Sequence, residues 1–169
     1  MIQSFWGVFT NKQKSVVQPA DHDDLSAISE IHRASFDRGW SDGEFAALLA
    51  QDNYFCLVAR KSGTNEKLPY GFVLIKRVLD EAEVISIATV PKARRRGLAR
   101  QLMDAAIRQL NADRVKLLFL EVDNQNQAAV HLYKRLGFKE IGSRQGYYEN
   151  KTAGRNKRSS ALVMQLELG

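Results

Sequence analysis

Residues 84–108 read Val84-Ile-Ser-Ile-Ala-Thr-Val-Pro91, then Lys92-Ala-Arg-Arg-Arg-Gly97-Leu-Ala-Arg100, then Gln101-Leu-Met-Asp-Ala-Ala-Ile-Arg108. The opening run is apolar and β-branched, as strands are, and Pro91 has no N–H to continue a ladder, so the strand ends there. Apolar residues then recur at Leu98, Leu102, Ala105, Ala106 and Leu110, which predicts an amphipathic helix over 98–110. Arg94, Arg95, Arg96 and Arg100 therefore load a helix start, where unpaired N–H groups already leave a partial positive charge. A phosphate seated there would compensate, and Gly97 would let the backbone approach it closely. The plain alternative is a solvated basic turn. Neither G-x-x-x-x-G-K-[ST] nor G-x-G-x-x-G occurs, which argues against a nucleotide P-loop and a Rossmann dinucleotide site.

Working outward, the 169 residues suit one domain with a proper core, expected over 15–169 behind an N-terminal extension at 1–14. That extension is apolar and short, with no basic region before it, so it does not read as a signal peptide. No segment has the length to span a bilayer, and no membrane partner is expected. The single cysteine rules out an internal disulfide and points to the cytoplasm; Cys56 lies in the apolar run Tyr54-Phe-Cys-Leu-Val-Ala59 and reads as a buried structural thiol. The net charge of +6 favours an anionic partner without choosing among phosphate cofactor, acidic peptide and RNA.

Strands are expected at 15–19, 54–60, 70–79, 84–90, 116–122, 139–148 and 161–168, and helices at 25–36, 41–49, 98–110 and 126–136. Residues 54–90 form an antiparallel meander, and the strand-helix-strand unit over 84–122 is a right-handed crossover joining two parallel strands of a mixed sheet. The strand at 116–122 shows no alternation, which suggests burial on both faces. His22, His32 and His131 read as surface residues without metal-ligand company, and no metal is expected.

Glu121 stands at the carboxyl end of Leu117-Leu-Phe-Leu-Glu-Val122, where ligands of such sheets bind. Partly desolvated there, its carboxyl would be pushed up toward the range of a general base; the alternative is a rim glutamate paired with an arginine. Tyr133 falls on the apolar stripe Ala129, Leu132 and Leu136, where core packing competes with catalysis.

Arg94-x-x-Gly97-x-Ala99 matches the pyrophosphate loop of the GCN5-related N-acetyltransferases. Phe119-Leu-Glu121-Val-x-x-x-Asn126-x-x-Ala129-x-x-x-Tyr133-x-x-x-Gly137-Phe138, followed by Gly146-Tyr147-Tyr148, resembles the ribosomal-protein-alanine (RimI-type) branch. The resemblance implies an α/β fold of seven mixed, mostly antiparallel strands with a central parallel pair and about four helices. It also implies acetyl-CoA as cosubstrate. Carried to matching positions, Glu121 is the general base toward an α-amine and Tyr133 the acid toward the coenzyme A thiolate. The backbone of Ile87, Ala88 and Thr89 holds the acetyl carbonyl and pantetheine, Arg94, Arg95, Arg96, Gly97, Leu98, Ala99 and Arg100 form the pyrophosphate loop, and Asn126 touches pantetheine. Trp40, Tyr147 and Tyr148 would wall the acceptor groove, ordinary packing being their alternative. The usual acceptor of the branch is the N-terminal alanine of small-subunit ribosomal protein eighteen. The chain departs from the common pattern at Phe36-Asp-Arg-Gly-Trp40-Ser41 and at Gly146.

A second reading keeps acetyl-CoA but gives the acetyl group to a small cationic amine or a lysine side chain. Such amines favour an acidic pocket, whereas Lys151, Arg155, Lys157 and Arg158 follow Tyr147. A third, a non-catalytic RNA-binding module, lacks aromatics among its arginines. RNA contact remains only as a secondary interaction on the way to a ribosomal substrate, and DNA is not expected.

Overall fold

A computed structural model describes residues 15–63, 68–149 and 158–169, without the side chains of 145–149 and 158–159. Seven strands form one sheet: β1 (Ser15–Pro19), β2 (Tyr54–Lys61), β3 (Gly71–Val78), β4 (Glu81–Thr89), β5 (Leu117–Asp123), β6 (Lys139–Glu149) and β7 (Arg158–Glu167), in the spatial order β1-β2-β3-β4-β5-β7-β6. Only β4 and β5 pair in parallel, as the strand-helix-strand reading requires. Helices α1 (Leu25–Arg33) and α2 (Asp42–Leu49) cover one face, and α3 (Leu98–Ala112) and α4 (Gln127–Arg135) the other.

The helical stripes explain the two layers. Leu98, Leu102, Met103, Ala106 and Leu110 of α3 bury with Val73, Ile75, Val84, Leu118 and Leu120 in one cluster. Leu25, Ile28 and Ile31 of α1 and Phe45 of α2 bury with Cys56, Val58, Phe72 and Leu74 in the other. At about 25 cal/mol per Å² of apolar surface, these faces supply the main driving force for docking helices on sheet. Ser41 opens α2 with a capping box: its Oγ accepts the Glu44 N–H, and the Glu44 carboxylate accepts the Ser41 N–H at 2.8 Å.

Three expectations are corrected. β5 is not buried on both faces: Leu118, Leu120 and Val122 are buried while Phe119 and Glu121 are half-open, because the clusters place α1 and α2 over β2–β4 and leave the face of β5 on that side uncovered. α1 stops at Arg33, so Phe36 lies beyond it, 42% exposed. His32 is buried, not a surface residue; its Nδ1 accepts the Trp40 N–H at 3.1 Å and its ring stacks on Trp40 at 4.7 Å. His22 and His131 are exposed.

Candidate active site

The central strands part company. β4 and β5 pair from Glu81–Leu117 to Val84–Leu120, after which β4 runs five residues further alongside β3 and β5 runs three further alongside β7. Among the described residues, the backbone of 85–89 therefore has no strand partner on its β5 side. Unpaired strand groups at the sheet's centre are costly unless a ligand takes them, and Ile87, Ala88 and Thr89 lie in this stretch.

Glu121 of β5 and Tyr133 of α4 lie on opposite faces of the sheet. Glu121 is the first β5 residue beyond the last pair, on the α1/α2 face, since Leu120 and Val122 belong to the α3/α4 cluster. Its side chain is 20% exposed, and Arg144 of β6 approaches its Oε1 to 3.2 Å through Nε. The arginine-paired alternative is thus realised, although Arg144 is itself 62% exposed and carries a correspondingly weak pair. A cavity of about 280 Å³ continues from Glu121 along this face, lined by Lys76, Glu81, Glu83, Phe119 and Arg144 among others. Tyr133, buried at 6% exposure in the α3/α4 cluster, lies on the other face with Phe138 at 5.7 Å between ring centres.

At the end of β4 a 3-10 turn over Pro91–Ala93 leads into the arginine loop. Arg95 and Gly97 both take left-handed backbone, φ 61° and 78°, just ahead of α3, the kind of turn whose successive amides can cradle an anion. A non-glycine residue in that region is strained, and such strain gathers where ligands are clamped. Gly97 caps α3 without a side-chain acceptor, no acid stands in the first turn, and Arg94, Arg95 and Arg96 are exposed. A Cβ at Gly97 would meet nothing within 4 Å, so the loop leaves room above it. Arg100 reaches Asp104 at 3.6 Å. This cradle fits a pyrophosphate.

Asn126 caps α4, its Oδ1 accepting the Ala129 N–H at 3.2 Å. Trp40 is engaged inward, against His32 and Phe45, while its carbonyl accepts the Ser29 hydroxyl at 2.7 Å. The side chains of Tyr147, Tyr148 and Arg158, and residues 1–14, Lys151, Arg155 and Lys157, lie outside the described residues. Arg144 escaped sequence reasoning because only strand pairing brings it to Glu121. Ser86, a lone hydroxyl inside Val84-Ile-Ser-Ile-Ala, lies on β4 just beyond the last β4–β5 pair.

A parted parallel pair beside an amide cradle defines the class, and the chain belongs to the acetyltransferase (GNAT) family, which matches residues 25–138. It is an acetyltransferase. The relatives are specific: the [ribosomal protein bS18]-alanine N-acetyltransferase of Salmonella typhimurium is 44% identical over 125 residues, 74% of this chain and 81% of the relative. The crystal structure of the ribosomal-protein-S18-alanine N-acetyltransferase from Escherichia coli superposes with a TM-score of 0.81 at 30% identity, covering 92% of this chain and 95% of that one. The fold is also that of Arabidopsis thaliana NAA60 in complex with acetyl-CoA, TM-score 0.79 at 18% identity, covering 92% and 99%.

Proposed function

We propose that this chain transfers the acetyl group of acetyl-CoA to the N-terminal α-amine of a ribosomal protein, the alanine of bS18 being the acceptor its relatives indicate. The observation that supports this reading is that Glu121, just beyond the last β4–β5 pair, and Tyr133 lie on opposite faces of the sheet. An amine arriving on one face and a thiol leaving on the other need no group to cross the sheet.

When bound, acetyl-CoA supplies a thioester whose carbonyl is open to amine attack. The arginine loop and the α3 amides hold its pyrophosphate, and the unpaired backbone at Ile87, Ala88 and Thr89 takes pantetheine and the acetyl carbonyl. With its Oδ1 committed to the cap, Asn126 offers its amide NH₂ to pantetheine. The amine nitrogen forms the new N–C bond as C–S breaks; Glu121 takes the nitrogen's proton, directly or through water, and Tyr133 gives one to the departing sulfur. Of the three aromatic candidates for the acceptor's path, only Trp40 has its side chain among the described residues. Arg144 shares the Glu121 carboxylate and must yield part of it to the acceptor.

One observation favours a second reading. The cavity beside Glu121 carries Glu81, Glu83 and Glu121 against Lys76 and Arg144, the acidic excess a small cationic amine would use. A single experiment separates the two. Mass spectrometry follows transfer from acetyl-CoA to a peptide with the free N-terminal alanine of bS18, to the same peptide N-terminally blocked but carrying a lysine, and to spermidine, with wild type and Glu121→Gln side by side. Modification of the free N-terminus alone, slowed about 100-fold or more in the variant, is expected. Modification of spermidine or lysine alone would replace the α-amine reading.

A further inference from the structure

Ser86 is the second β4 residue beyond the last β4–β5 pair. It sits opposite Leu74 of β3, a member of the α1/α2 cluster, so its side chain shares that face of the sheet with Glu121. A β-bulge at this point, where Ile75 faces Val84 and Leu74 faces Ser86, re-aims the strand just ahead of the hydroxyl. Ser86 is 7% exposed, and its Oγ has no hydrogen-bond partner among the described residues. Burying a hydroxyl without a partner forfeits its hydration for no return, and native interiors tolerate this rarely. Ser35 Oγ, Arg77 Nε and Asn124 Oδ1 share that condition among the described residues, but Ser86 is the one on either of the two parting strands.

Two hydrogen-bonding side chains thus stand on the two arms of the fork, on the face from which an amine reaches the thioester. A neutral primary amine has two N–H bonds and one lone pair. If each N–H meets an acceptor, the lone pair is left aimed in the third direction. We infer that Ser86 is a hydrogen-bonding group of the acceptor site: its Oγ accepts one N–H of the incoming primary amine while Glu121, directly or through water, takes the other. The proton held by Glu121 is the one lost on attack. The N–H held by Ser86 stays on nitrogen and becomes the N–H of the product amide. The inference rests on the transfer chemistry proposed above and adds a selectivity to it: a secondary amine has one N–H, which Glu121 must have, so nothing is left for Ser86.

The test compares peptides beginning with alanine and with N-methylalanine, using wild type, Ser86→Ala and Ser86→Thr. On the alanine peptide, Ser86→Ala lowers kcat/KM about tenfold, the worth of one hydrogen bond made during attack, and Ser86→Thr restores most of it. On the N-methyl peptide, wild type is already slow and Ser86→Ala changes it less than twofold. Acetyl-CoA affinity by calorimetry without acceptor stays unchanged, and the thermal midpoint of Ser86→Ala is equal to or above that of wild type, since an unsatisfied hydroxyl has been removed. Equal losses on both peptides, or no loss on alanine, overturn the inference. If wild type acetylates spermidine and neither peptide, the α-amine reading fails instead. The Ser86 comparison is then read with butylamine and N-methylbutylamine, under the same criteria.

Discussion

At Gly97 the backbone takes φ 78° with open space where a Cβ would stand, so the demand on that residue is conformational rather than steric. Gly97→Ala therefore costs about 1–2 kcal/mol from the left-handed region alone. It lowers the thermal midpoint by roughly 2–8 °C for a chain of this size, and weakens acetyl-CoA binding by calorimetry while leaving the acceptor KM less affected. A variant that binds acetyl-CoA as wild type does would remove Gly97 from the cradle. Burial, with a smaller contribution from the Asp24 charge, pushes the Cys56 thiol up to about 12. The native protein at pH 8 should then resist thiol reagents, reacting only as it unfolds; stoichiometric labelling without denaturant would contradict the buried placement. For His32, burial lowers the pKa below its ordinary 6.5, against a smaller opposing effect of Glu44. The unfolded chain then binds the proton more readily than the folded one. Stability is thus fully present above about pH 6.5 and is lost as pH falls toward the depressed folded value. Urea midpoints should drop between pH 7.5 and 5.5 in wild type and drop less in His32→Gln, whose side chain does not titrate. Equal drops would assign the acid sensitivity elsewhere.

Among the elements, α1 is tied to the sheet by more than its apolar stripe. Asp24, 4% exposed just ahead of α1, receives the Arg60 Nη2 of β2 at 2.6 and 2.7 Å and also accepts the Asp21 N–H at 3.0 Å. Removing one partner leaves a buried charge, so Arg60→Ala should cost about 3–5 kcal/mol in urea unfolding, whereas Asp24→Leu with Arg60→Met should cost less than the single change. A loss under 1 kcal/mol in the single variant would mean water replaces the guanidinium there. Helix and strand identities were readable because their periodicities are local: the 98–110 stripe became α3, and Ser41-Asp-Gly-Glu44 became the cap of α2. The exposure of β5 was not, since an unbroken apolar run looks the same whether or not a helix covers its second face. His32 fell at the expected spacing to share the stripe of Leu25, Ile28 and Ile31, and its polarity masked it.

For the molecule, the parted sheet predicts a centre that acetyl-CoA stabilises. Acetyl-CoA at 100 times its dissociation constant should stabilise the native state by about 2.7 kcal/mol. At this size that raises the thermal midpoint by roughly 5–10 °C, and Glu121→Gln should show the same rise because it lies across the parting from the cradle. No shift in either protein would mean that the gap between β4 and β5 does not hold acetyl-CoA. What the amino-acid order determined by itself was whatever depends on neighbours in the chain: the periods of strands and helices, the arginines crowding a helix start, and the carboxylate closing an apolar strand. Tertiary structure alone decided which groups meet across the sheet. The partner of Glu121 comes from β6, α1 and α2 stop short of β5, and Ser86 is left without a partner among the described residues on one arm of a fork whose other arm carries Glu121. Those outcomes follow from strand register and from where the sheet divides, which are set by contacts between residues tens of positions apart.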